Sequence, residues 1–387
     1  MKSTNFFIYF TLFISIYTIG NYYVFLRGWQ VIQSTHFQKF IYVVISIVLY
    51  SSFILKFTLL QRSSGLLTDL LFIISSFWLV FLLYFLFSLL LVDTIKIFNL
   101  FIKFLPEKNT ISYFKLKQYT FYAILILVIS IIIFSYHNAR NVIFKKITIY
   151  TEKKFSEKSA YKFVIISDLH YSILTGKKHL KKLVNKINNI QPDFIVLLGD
   201  IIDETMLFKK NLNDIALKNL KSSYGTFVIT GNHEYIGDIK KSIEFFRNNN
   251  FKLLIDDIFE NEDITLIGRN DYFSVRFNNE YRRKPLKEII NNHKINYSKF
   301  IIVADHQPLK IEEAVENNID LQISGHTHYG QFWPFNLIVK KVYEIPWGYK
   351  KIKNTHFYVS SGAGAWGPPI RNMSNSEIII INIISKQ

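Results

Sequence analysis

From Leu70 to Val92 the chain runs for 23 residues without one charged side chain. A helix needs ~20 consecutive apolar residues to cross the hydrocarbon core of a bilayer. Three further stretches, 6–26, 40–60 and 119–136, have similar length and character. Tyr22, Tyr23, Trp29, Tyr119 and Tyr136 stand near their edges, where amphipathic rings anchor at the interface. Soluble helices keep a polar face, and these stretches have none. The pattern predicts four transmembrane helices, with residues 1–150 as a multi-span anchor. Lys2 followed by an apolar run also resembles the start of a signal peptide. Three more spans and the lack of a small-residue cleavage site predict that the first one is retained.

Residues 1–150 hold thirteen Lys and Arg against Asp69, Asp93 and Glu107, a net +10 of the +17 total. Basic residues beside apolar spans meet lipid headgroups, so the charge predicts membrane lipids as partners and no specific nucleic-acid partner. Four spans put both ends on one side. Loops 27–39 and 93–118 hold seven basic residues (Arg27, Lys39, Lys96, Lys103, Lys108, Lys115, Lys117), and the opposite side holds six. The two longer loops are therefore read as cytoplasmic and the C-terminal domain as extracytoplasmic, an expectation that protease digestion of intact spheroplasts tests directly. Cysteine is absent, which excludes disulfides and thiolate metal sites.

From about residue 155 short apolar runs alternate with charged helical stretches. Strands are expected at Phe163–Ser167, Phe194–Leu198, Phe227–Thr230, Lys252–Ile255, Ile264–Ile267, Phe300–Ala304, Leu321–Ser324, Phe357–Ser360 and Ile378–Ile384. Leu180, Leu183, Val184 and Ile187 at helical spacing predict a helix over 178–190. Such alternation predicts a layered α/β domain over 155–387. In open α/β sheets the loops after strand C-termini form the ligand crevice, and five of these strands run into Asp, His or Asn.

Asp168-Leu169-His170 follows the first strand; if the backbone stays extended there, both side chains point the same way. Gly199-Asp200-Ile201-Ile202-Asp203 follows the second and Gly231-Asn232-His233-Glu234 the third. Asp305-His306 and Gly325-His326-Thr327-His328 follow two later strands. Carboxylate, amide oxygen and imidazole suit Mn, Fe, Zn or Mg. One bridging carboxylate can hold two ions ~3.5 to 4 Å apart.

In order and spacing these motifs resemble the series of the calcineurin-like metallophosphoesterase superfamily, over roughly residues 160–385. The resemblance implies that family's fold, a β-sandwich flanked by helices with a two-metal centre at one sheet edge. It further implies that Asp168, His170, Asp200 and His328 surround one divalent ion, and that Asp200 bridges to a second held by Asn232, His306 and His326. His233 would approach the substrate, oriented by Asp203. The implied activity is a metal-dependent phosphoester hydrolase.

The segment Tyr329-Gly330-Gln331, then Tyr358-Val359-Ser360-Ser361-Gly362 and Pro369-Ile370-Arg371, resembles a bacterial branch of membrane-associated or exported phosphodiesterases, similar to enzymes that cleave a lipid-linked nucleotide diester. Tyr329 stands where that pattern usually has glycine. Phe332, Trp333, Phe335, Trp347 and Tyr349 lie near Lys340, Lys341 and Lys350, and the loop is read either as touching lipid headgroups or as packing on the sheet. His179, His293 and His356 are isolated and read as surface or structural; Glu234 is read as favouring a helix N-terminus. Other classes compatible with the sequence are an inactive membrane sensor or scaffold, a four-span transporter with an accessory domain, a phosphoprotein phosphatase and a nuclease. The full ligand set disfavours the first. Spans with few intramembrane charges disfavour the second.

Overall fold

A computed structural model of the chain describes residues 2–32, 35–59, 65–207, 215–276 and 282–386. It divides into two compact units, Met1–Phe134 and Ser135–Gln387.

The first unit holds helices α1 (Lys2–Trp29), α2 (His36–Ile54), α3 (Leu66–Ile102) and most of α4 (Ile111–Arg140). All four are long and apolar enough to cross a membrane. Thr35 caps α2, with Gln38 completing the reciprocal capping box. Small polar residues let the helices approach closely: Ser52, Ser75 and Ser76 are buried. Polar contacts join neighbours. Trp78 Nε1 donates to Asn21 Oδ1 at 2.9 Å, and the Tyr17 hydroxyl donates to the Tyr50 carbonyl at 2.9 Å.

The second unit is built on two six-stranded sheets. Its strands are β1 (Ile143–Thr151), β2 (Ala160–Ile166), β3 (Phe194–Leu198), β4 (Thr226–Ile229), β5 (Lys252–Leu253), β6 (Asp257–Glu260), β7 (Ile264–Gly268), β8 (Phe300–Ala304), β9 (Leu321–Ser324), β10 (Gly348–Ile352), β11 (Thr355–Val359) and β12 (Glu377–Ser385). The helices between them are α5 (Lys177–Asn188), α6 (Glu204–Leu207), α7 (Asn232–Gly237), α8 (Ile239–Asn248), α9 (Leu286–His293), α10 (Glu312–Glu316) and α11 (Phe335–Val342). One sheet has the order β1-β12-β2-β3-β4-β5, the other β10-β11-β9-β8-β7-β6.

Side-chain alternation along each strand sets the layers. Phe163, Ile165, Phe194, Val196 and Phe227 of the first sheet pack with Leu266, Phe300, Ile302, Leu321 and Ile323 of the second. Phe163 and Phe194 stack with ring centroids 4.4 Å apart. The alternate residues Val164, Ile166, Ile195 and Leu197 face away, against Leu180, Leu183, Val184 and Ile187 of α5. Ile301 and Val303 likewise pack on Leu286, Ile289 and Ile290 of α9. Burial of each such side chain contributes about 1.5–3 kcal/mol. The expected sandwich flanked by helices is what the chain forms.

Every expected strand is present, and three more appear: β1, β6 and β10. β1 falls almost wholly inside residues 1–150, the stretch assigned to the anchor by composition. Its register with β12 is parallel over nine residues, Ile143 opposite Glu377 through Thr151 opposite Ser385, and Ile149 is buried. Without β1, β12 becomes an open edge. A soluble fragment starting at residue 155 should therefore melt at least ~5 °C below one starting at 141, the shift that ~2 kcal/mol gives a domain of this size. Equal melting temperatures would show that β1 adds nothing to the sheet.

Candidate metal centre

β2, β3 and β4 are mutually parallel, as are β8 and β9. The C-terminal ends of each set therefore release their loops at a common edge, and the two edges meet. Asp168, His170, Asp200, His233 and His306 are buried there, with Asn232 and His326 partly so.

The backbone at this edge is not extended. Asp168, His170, Asp200, His326 and His328 all have φ between 42° and 68°, a left-handed conformation that non-glycine residues rarely adopt. The expectation of an extended Asp168-x-His170 pair is thus corrected: the two side chains meet through a turn. It is held where the Asp168, His170 and Tyr171 amides donate to the carbonyls of Gly199, Asp200 and Ile201 at 3.1, 3.0 and 2.9 Å. Each such residue costs on the order of 1–3 kcal/mol and persists where its surroundings over-determine it. Two glycines show the crowding. A Cβ on Gly199 would lie 2.7 Å from the Gly231 nitrogen, and one on Gly325 would lie 1.8 Å from Ser167 Oγ.

Three sets of side chains result. Asp168, His170 and His328 present ligand atoms within 4.8 Å of one another, as do Asp200, His306 and His326; His170, Asp200 and His233 form the third and link the other two through His170 and Asp200. Asp200 Oδ1 accepts the His233 amide at 2.8 Å, while Oδ2 lies 3.2 Å from His306 Nε2 and 3.7 Å from His170 Nε2. His306 Nδ1 is 2.8 Å from the Leu198 carbonyl, which can only accept, so Nδ1 carries a proton and Nε2 is the ring nitrogen that faces the site. Both oxygens of Asp168 lie 3.0 Å from the His326 amide, which donates to them.

Electrostatics match a cation site. Burial pushes the Asp168 carboxyl up to about 6. Asp200 is buried too, but the His306 and His233 charges outweigh this and hold it well below the usual carboxylate range. Burial opposes protonation of His306, yet Asp200 and Asp168 raise its pKa well above the ordinary value. Burial keeps His170, His326 and His328 neutral, with pKa values depressed, to about 3 for His326. Asn232 Oδ1 and His306 Nε2 are buried without a hydrogen-bond partner. Oxygen and imidazole donors around two carboxylates fit divalent ions, and the proton that Asp200 and Asp168 draw onto His306 stands where a cation would otherwise offset their charge.

Three residues have roles the motif reading did not assign. Glu234 is fully buried and accepts from the amides of Asp200, Ile201 and Gly231 at 2.9, 2.9 and 2.8 Å. It thus caps α7 as expected and also ties the β3 loop to the β4 loop. Burial, then the nearby Asp200 charge, push its pKa up to about 7, against the pull of those three donors. Arg371, also fully buried, donates from Nη2 to His328 Nδ1 at 2.9 Å. That leaves the ring proton of neutral His328 on Nε2, 3.4 Å from Asp168 Oδ1 and 3.2 Å from His170 Nε2. Coordination by the neutral ring through that nitrogen would require the proton to move to Nδ1, with Arg371 then holding His328 through the backbone carbonyl to which Nη1 donates at 3.4 Å. Tyr329 adopts φ 49°, the conformation that glycine would take without strain, and its ring tilts onto Trp347 at 5.0 Å.

The remaining site residues fall nearby. His233 is buried, its ring perpendicular to that of His170 with centroids 4.7 Å apart. Asp203 is buried in the turn after β3, its amide donating to the Tyr171 carbonyl at 3.1 Å. His293 lies 3.8 Å from Asp257, and His356 2.8 Å from the Tyr349 hydroxyl; neither belongs to the metal sets.

Glu234→Ala would strand three buried amides, at about 1–3 kcal/mol each. The variant should lower the apparent Tm by at least ~5 °C and reduce bound metal, as read by differential scanning fluorimetry and elemental analysis. Glu234→Gln should keep part of both.

Residues 161–330 match the calcineurin-like phosphoesterase family. An uncharacterized metallophosphoesterase of Helicobacter pylori is 36% identical over 246 residues, 62% of this chain and 64% of that one. One from Aquifex aeolicus is 30% identical over 247 residues, covering 92% of its length. A Danio rerio transmembrane protein with a metallophosphoesterase domain is 28% identical over 248 residues, 61% of this chain and 55% of that protein. The chain thus spans just under two thirds of the Helicobacter relative it matches. With its ligand sets gathered at the joint edge of two sheets, the chain belongs to the calcineurin-like metallophosphoesterase family.

Proposed function

We propose that the chain is a membrane-anchored hydrolase of phosphoesters, most suited to diesters, that works with two divalent ions. The observation that carries this reading is that Asp200 belongs to two of the three sets, one with His170 and His233 and one with His306 and His326. Asp168, His170, Asp200 and His328 would hold one ion; Asp200, Asn232, His306 and His326 would hold the other. Bound there, the ions would lower the pKa of water toward neutrality and neutralise charge on phosphoryl oxygens. Asp200 would bridge the ions, since its Oδ2 lies 3.2 Å from His306 Nε2 and 3.7 Å from His170 Nε2, imidazoles carried by different loops. His233 is held by its amide on Asp200, and its ring would protonate the leaving oxygen or stabilise its charge. Asp203 would fix the orientation of that ring. The four apolar helices and the transmembrane relative support the anchor.

A second observation favours a substrate at a lipid surface. Trp333, Phe335, Leu337, Ile338 and Val342 on and before α11 are exposed, up to 60% for Val342, and Lys340 and Lys341 share the helix. Tyr343, next in the chain, stacks edge-on to His326 with centroids 6.2 Å apart. Trp347 differs from its neighbours: its Nε1 donates to the buried Glu377 at 2.9 Å, so it packs inward. Apolar residues with flanking lysines suit an anionic bilayer surface.

With bis-p-nitrophenyl phosphate, turnover should require added Mn and fall on the order of 10²-fold or more in Asp200→Asn, ~3 kcal/mol of barrier. His233→Ala and Asp203→Asn should lower kcat by about 10² to 10⁴-fold for the former and less for the latter, with metal content unchanged. Full turnover in both would remove the pair from the chemistry; folded, metal-loaded protein without turnover would favour an inactive sensor. Separately, fragment 141–387 should co-sediment with phosphatidylglycerol vesicles, and Leu337→Asp with Ile338→Asp should release it. Unchanged sedimentation would remove α11 from membrane contact.

A further inference from the structure

The helical unit carries a charged cavity that the hydrolase reading does not use. It lies between one end of α1, the distal half of α3 and the start of α4, with a volume of about 150 Å³. Val31, Leu89, Leu105, Leu116 and Phe121 make its walls largely apolar, and Arg27, Asp93, Lys96 and Lys117 supply its charge.

The charges do not cancel. Asp93 accepts from Tyr23, from Arg27 and, at 3.1 Å, from Lys96. Arg27 also lies over the Tyr23 ring, 4.9 Å from its centroid. Lys117 has no carboxylate among its contacts here; its ammonium donates to Gln30 Oε1 at 2.6 Å. Three cations thus meet one carboxylate, leaving +2 beside an apolar cavity. Asp69 lies 24 residues away along α3, ~36 Å at the helical rise. Glu107 is exposed in the following loop and does not line the cavity. Uncompensated cations at the ends of apolar helices mark a place for an anion, and basic pockets between membrane helices suit phosphate-bearing headgroups. Apolar walls beside them suit the glycerol and first methylenes of the same molecule.

We propose that this cavity binds the headgroup of an anionic phospholipid, with Arg27, Lys96 and Lys117 as its contacts. The site is independent of hydrolysis. Lys117 is the decisive residue, because it can be changed without touching the Asp93 cluster.

The test is native mass spectrometry of the full chain in neutral detergent, titrated with dioleoylphosphatidylglycerol, dioleoylphosphatidylcholine or glycerol 3-phosphate. Phosphatidylglycerol should bind about tenfold or more tightly than phosphatidylcholine, and Lys117→Gln should weaken it about fivefold. Lys108→Gln, which removes the same charge from the neighbouring exposed loop, should leave it unchanged. Should Lys117→Gln fail to give folded protein by circular dichroism, Lys96→Gln serves the same comparison while keeping the Arg27–Asp93 pair. Equal binding of the two lipids would overturn the site. So would equal losses in the Lys117 and Lys108 variants, which would mean diffuse surface attraction. Glycerol 3-phosphate binding as tightly as the lipid would overturn it in favour of a soluble anion.

Discussion

The second unit is organised around one buried carboxylate. Asp200 sits almost without solvent, where loops from both sheets converge, and it faces imidazoles from each. A carboxylate cannot stay ionised in such a place unless positive charge or hydrogen-bond donors compensate it. His306, His170 and the His233 amide supply part of that compensation, and divalent ions would supply the rest. Without the inter-sheet core that fixes these loops, the charges would have no reason to stay together.

Strain and satisfaction are paired at the same edge. Five of the seven proposed ligands occupy the left-handed region, a cost that the surrounding hydrogen bonds must offset. Glu234 satisfies three amides of the two loops that carry Asp200 and Asn232, and Arg371 fixes His328 from below. These two residues touch the ligands and the loops bearing them. Their part is to hold a geometry that the ligands alone would not keep, as outer contacts do at metal sites generally.

The helical unit follows a different rule. In a bilayer, lipid would give no hydrophobic drive between helices, so buried serines and the Trp78–Asn21 and Tyr17–Tyr50 contacts join neighbours. Charge is kept to the helix ends, where Arg27, Asp93, Lys96 and Lys117 gather in a cavity. Sequence counting placed these basic residues on one side of the membrane; only the packed helices bring three of them together.

The sequence by itself determined much of this protein. Uninterrupted apolar runs of ~20 residues had only a membrane or a large core to enter, and short apolar runs ending in Asp, Asn and His had to put polar groups at strand ends. Hydrophobic length and periodicity are local, so they survive in the linear order. Tertiary structure decided what depends on contacts distant in the chain. β1 was hidden because the strand that pairs with it, Glu377–Ser385, lies at the far end of the domain's sequence. The left-handed turn at Asp168-x-His170 follows from the Gly199 to Ile201 carbonyls thirty residues on. Glu234 reads as an ordinary helix start until the amides of Asp200 and Ile201 are placed against it. Buried polar groups must find partners, and which partner is within reach is a fact of three dimensions.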